Sequence, residues 1–99
     1  MLDRLATAGS LESALRDLVT HRDSAASLGR AYLAVMPGEA SAVRLVPLIL
    51  GKAAAPIGQE GARVRSRIQA DFDAAQVVTI DGWIVSRTEA RLCALCALG

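Results

Sequence analysis

Val77-Val78-Thr79-Ile80-Asp81-Gly82-Trp83-Ile84-Val85-Ser86 is the stretch whose reading decides the fold. Two tetrads rich in β-branched and aromatic residues flank an Asp-Gly pair. That dipeptide suits a type I′ turn, in which both central residues need a positive φ. The pattern predicts strands over 77–80 and 83–86 joined by a two-residue turn. In that register Ile80 faces Trp83 and Val78 faces Val85 on one side of the hairpin, with Thr79 opposite Ile84 on the other. The face carrying Ile80, Trp83, Val78 and Val85 is expected to lie under helices, because two strands alone are marginal in water.

Immediately downstream, Ser86-Arg87-Thr88-Glu89 places a serine three residues before a glutamate. This is the capping box that satisfies free amides at a helix start, and it predicts a final helix over 87–98 through Leu92, Leu95, Cys96 and Leu98. Upstream, Val64, Ile68, Phe72 and Ala75 recur at helical spacing and predict a helix over 62–75, with Asp71 pairing with Arg67 one turn earlier. Further back, Leu11, Leu15, Leu18 and Val19 predict a helix over 11–20 capped by Ser10. A connector at His21 to Ser24 follows, and Asp23 or Ser24 is expected to cap a helix over 24–36 through Leu28, Tyr32, Val35 and Met36, stopped by Pro37-Gly38. A short, broadly apolar segment over 41–50 contains Pro47, so it starts late, kinks or splits there, and Gly51 is placed to end it. Lys52 to Gly61 reads as the main loop. The fold expected is mostly α: a small helical domain with one C-terminal β-hairpin, about 77–86, followed by a final helix.

Ninety-nine residues form a single domain, 1–99, able to remove roughly 60 to 70% of its unfolded surface from water. At 53% hydrophobic and 21% charged residues the chain is far from the composition of disorder. Ala, Leu and Val supply the apolar content, and Tyr32, Phe72 and Trp83 are the aromatics. Small side chains allow close helix packing but bury little area each, which favours a protein partner or self-association into a homo-oligomer. The net charge of +1, with Lys52 the one lysine, argues against nucleic acid, whose binders carry a basic excess. No uncharged run, Leu45 to Gly51 among them, approaches the roughly 20 apolar residues of a membrane span. Met1 to Ser10 lacks the apolar block of a secretory signal, so the expected location is the cytoplasm if Met1 is the native start, and the periplasm if an export signal has been removed.

Side chains able to carry chemistry are few. Cys93-Ala94-Leu95-Cys96 has CxxC spacing, but it lies two turns into a helix among Ala and Leu, away from the helix start that would activate a thiol. As half of a zinc site it would need two more ligands, which His21 alone cannot supply, short of a site shared across a dimer. The pair is expected to be small buried residues. His21 reads as a polar helix-end residue, and Asp71 and Asp73 point in different directions. No glycine-rich loop fits a phosphate cradle, and no cofactor is indicated. Arg63, Arg65 and Arg67, with Arg87 and Arg91, could line a basic surface. A helix of arginines followed by a hairpin has the order of a winged-helix DNA binder, although the apolar region around Trp83 is unlike a wing. Trp83 itself either anchors the hairpin from inside the core, the expected state, or marks a partner site if exposed.

The run from Asp71-Phe72-Asp73 through Asp81-Gly82-Trp83-Ile84-Val85-Ser86-Arg87-Thr88-Glu89-Ala90-Arg91-Leu92-Cys93-Ala94-Leu95 resembles the C-terminal DGWxxSxTEARLCAL signature of a family of small uncharacterised bacterial proteins. Gly29-Arg30-Ala31-Tyr32-Leu33, with Pro37 and Glu39, is similar to theirs as well. The resemblance runs between residues 29 and 95, a span of well over half of the chain, and Cys96 departs from the alanine expected there. Members often begin with a twin-arginine export signal, which this sequence lacks. A looser likeness, in size and export habit alone, is to the small third subunits of exported sugar-acid dehydrogenases. The resemblance brings no active-site residue with it. The function expected is a non-catalytic accessory or protein-binding module, partnering an exported or membrane-associated enzyme, through a surface formed by Trp83, Arg87 and Arg91. The alternative is a small winged-helix-like DNA-binding regulator using Arg63, Arg65 and Arg67.

Overall fold

The computed structural model describes residues 11–51 and 58–99. The cap expected at Ser10 and most of the loop from Lys52 lie outside them. In chain order the described elements are a helix over 11–17 (α1), α2 (Arg22–Val35), a 3₁₀ turn at Pro37–Glu39, α3 (Ala42–Leu50), α4 (Glu60–Asp73), β1 (Val77–Ile80), β2 (Trp83–Ser86) and α5 (Arg87–Leu98). The mostly helical architecture with one hairpin before a final helix is as the sequence indicates.

The hairpin has the expected register, with Ile80 opposite Trp83, Thr79 opposite Ile84, Val78 opposite Val85 and Val77 opposite Ser86. Asp81 (φ 52°) and Gly82 (φ 83°) both occupy the left-handed region, as a type I′ turn requires. Two polar contacts then fasten β2 to α5, and a third fastens α4 to α5. The Ser86 hydroxyl accepts from the Glu89 amide at 2.9 Å, the Glu89 carboxylate accepts from the Ser86 amide at 3.4 Å, and Asp71 Oδ2 accepts from the Thr88 amide at 2.7 Å. Asp71 therefore does not pair with Arg67. Its charge is better placed at the start of α5, where the free amides and the positive end of the helix dipole coincide.

α5 is the central element. Its buried Ala90, Leu92, Ala94 and Leu95 join Leu15, Tyr32, Leu45, Ile49, Leu50, Val64 and Ile80 in one core. The crossing with α2 is the most extensive contact in the fold, and Gly29 makes it possible. A Cβ at Gly29 would overlap the Cys93 carbonyl and come within 2.6 Å of the Ala94 nitrogen, so the two helix backbones touch where a side chain would normally hold them apart.

Several boundaries differ from expectation for identifiable reasons. α1 gives way after residue 17 to i→i+3 bonds from Leu18 to Leu15 and from Val19 to Arg16. α2 starts at Arg22 with His21 as its N-cap and no side-chain cap, while Asp23 sits in the first turn. There a carboxylate favours the dipole without capping. α3 continues through Pro47. The carbonyl that loses its intrahelical donor belongs to Val43, an exposed residue that water can reach, so the proline does not split the segment. α4 begins at Glu60, two residues early. Its apolar stripe meets the core through Val64 and Ile68 only, and Phe72 is left 47% exposed.

The face of the hairpin expected to lie under helices is only partly covered. Ile80 is buried, Val78 and Val85 are half-buried, but Trp83 is 70% exposed. Trp83 is not an anchor in the core. Ser24 and Ser27 of α2 stand across from it, and their short side chains leave a groove where longer ones would have closed over the indole.

Candidate functional site

The two ends of the hairpin differ in character. At its base, Ser86 is fully buried and held by the capping box. At its tip, Trp83 (70%) and Ile84 (65%) stand in water as neighbours on β2, pointing to opposite sides of the ribbon. Adjacent to Trp83, a groove of about 510 Å³ runs between α2 and the hairpin, lined by Ser24, Ser27, Leu28, Asp81, Trp83 and Val85. The scaffold thus presents a large aromatic surface beside an open, partly apolar cleft on a rigid turn.

Arg87 and Arg91, expected to share a surface with Trp83, are turned elsewhere. Arg91 donates from Nε to Glu39 Oε1 at 3.0 Å and from Nη2 to Glu39 Oε2 at 3.3 Å. Both side chains are mostly buried, 14% and 12% exposed. The Tyr32 hydroxyl, in the core, donates to the same Glu39 Oε1 at 2.7 Å. Arg87 is half-buried beside this group, close enough for its charge to act on Glu39. Burial pushes the Glu39 carboxyl up, but the hydrogen bonds from Arg91 and Tyr32 and the charges of Arg91 and Arg87 outweigh it, leaving the group below the ordinary carboxylate value. Burial and the neighbouring carboxylate hold the Tyr32 phenol above its usual value. This trio ties the turn after α2 to α5. Its signal in the sequence was a lone tyrosine on an apolar helix stripe, whose hydroxyl must find a partner once buried.

Arg63, Arg65 and Arg67 do not form one strip. Arg63 donates to the Leu50 carbonyl at 3.2 Å and Arg67 to the Leu48 carbonyl at 3.3 Å. They satisfy carbonyls at the end of α3 that have no helical donor, at the negative end of that helix's dipole. Of the three, Arg65 is exposed. With two of its arginines engaged inside the fold, the recognition helix of a DNA reader is not supported by this arrangement.

Cys93 and Cys96 are free thiols, half-buried rather than fully enclosed. Cys93 lines a second groove, of about 420 Å³, among Leu18, Val64, Ile68 and Leu92. Burial, together with the charges of Cys96 and Glu89, pushes its thiol from 9.0 up to about 11, and burial raises Cys96 as well despite Arg22 and Arg16. Such thiols are protonated at neutral pH and poorly nucleophilic. His21 lies apart, in the cleft between α1 and α2 with Thr20 and Asp23. Among the described residues no three His, Cys, Asp or Glu side chains gather as metal ligands, and no helix is long and apolar enough to cross a membrane. No protein-family profile, curated protein or solved structure matches the chain.

Proposed function

We propose that the chain is a non-catalytic accessory module that binds another protein through the tip of its hairpin. The observation that carries the reading is the 70% exposure of Trp83 beside the exposed Ile84. Tryptophan is costly to leave in water and is enriched among the residues that dominate interface energies, particularly when a rigid backbone presents it. Here the turn, the capping box and Asp71 supply that rigidity. The resemblance to small proteins that are often exported extends the proposal to the partner, an exported or membrane-associated enzyme. Arg87 and Arg91 act from behind as part of the scaffold.

Affinity purification from the native host tests this. The wild-type protein is expected to retain a stoichiometric partner and Arg65→Ala to retain it equally. Trp83→Ala should bind about thirtyfold more weakly, a loss of about 2 kcal/mol or more, with its own unfolding midpoint unchanged. Undiminished retention by Trp83→Ala would sink the proposal.

A further inference from the structure

The groove beside Trp83 has a lopsided chemistry. Asp81 is its one charged lining residue, and among the described residues no cation pairs with it. Arg22, Arg30 and Arg87 each lie two positions from a lining residue; Arg22 is engaged by Asp17, Arg87 lies beside Glu39, and none of the three forms an ion pair with Asp81. Ser24 and Ser27 add hydroxyl acceptors, Leu28 and Val85 add apolar surface, and the indole offers the aromatic face to which cations bind best. An unpaired carboxylate, an exposed indole, two hydroxyls and an apolar floor fit an arginine side chain, whose planar guanidinium stacks on indole and hydrogen-bonds through several donors while its methylene stem lies on aliphatic carbon. Lysine offers a compact, strongly hydrated charge that fits the flat surface less well.

We propose that this groove receives the guanidinium of an arginine carried by the partner protein. The inference rests on the reading of the hairpin tip as a docking face and adds the chemistry of what docks. Asp81 has the second advantage that Asn-Gly supports the same turn as Asp-Gly, so Asp81→Asn removes the charge and keeps the hairpin.

The test uses the indole N–H resonance of Trp83, the one tryptophan in the chain, followed by NMR during titration with acetyl-arginine amide or the uncharged acetyl-citrulline amide at matched ionic strength. The expected result is a saturable shift with the arginine derivative, no saturable shift with citrulline, and binding about three- to fivefold weaker in Asp81→Asn. Absence of a shift, an equal response to citrulline, or an unchanged titration in Asp81→Asn overturns the assignment. So does a concentration-dependent dimer that Asp81→Asn dissociates, since a second copy would then fill the groove. The two readings fail separately: if arginine does not bind while Trp83→Ala still abolishes the host complex, the guanidinium site falls and the docking face stands. If Trp83→Ala leaves that complex intact, the docking face falls.

Discussion

Glu39 accepts hydrogen bonds from a phenol and a guanidinium while almost shut off from water, so its charge matters more to the fold than a surface carboxylate would. Replacing it with glutamine keeps the shape but leaves the Arg91 charge mostly buried without its counter-ion. Glu39→Gln is expected to lower the unfolding free energy by about 3 kcal/mol in denaturant titration, and a change under 1 kcal/mol would contradict the pairing. The sign of the pH dependence follows. Because the folded carboxyl is held below its ordinary 4.5, it stabilises the protein above that pH and the contribution is lost as pH falls through the lowered folded value. The opposite holds for Cys93 and Tyr32, whose folded values are raised: the Cys93 contribution is complete below pH 9.0 and is lost as pH rises through about 11, while that of Tyr32 is complete below its ordinary 10.0 and is lost as pH rises through its raised folded value. Urea midpoints are therefore expected to fall from pH 9 upward, and Cys93→Ala should flatten part of that decline. An unaltered alkaline limb in Cys93→Ala would mean that the thiol is not the group titrating there.

The joint between β2 and α5 is where local sequence and tertiary structure agree most closely. Ser86→Ala removes the acceptor for the Glu89 amide and is expected to cost about 1 kcal/mol, measured by thermal unfolding, with a cost near zero contradicting the capping box. The turn, the strand register and this cap were legible because each depends on a few adjacent residues: Asp81-Gly82 for the positive φ values, Ser86 and Glu89 for the box. What was not legible depends on distant residues. Nothing local to Trp83 says that Ser24 and Ser27 stand opposite and are too short to cover it. Nothing near Asp71 shows the amide of Thr88 seventeen residues on. The arginines at 63 and 67 looked like a surface strip because helical spacing says which side chains share a face. It does not say that the end of α3, with its free carbonyls, lies against that face.

At the scale of the molecule, one helix organises the rest. α5 receives α2 across Gly29, α3 and α4 on its other sides, and the base of the hairpin at its start. Its polar groups hold other elements: the Glu89 carboxylate accepts from the Ser86 amide, the Thr88 backbone amide donates to Asp71, and the Arg91 guanidinium donates to Glu39. The part of the chain that reads most like a functional signature is thus largely a framework, and the large apolar side chains it leaves outside are those at the hairpin tip, Trp83 and Ile84. Its lone indole makes that placement measurable. Acrylamide quenching of tryptophan emission should find Trp83 nearly as accessible as free tryptophan amide in the isolated protein and shielded in the complex purified from the native host. A blue-shifted, quencher-resistant indole in the isolated protein, or an indole equally accessible with the partner bound, would contradict the account.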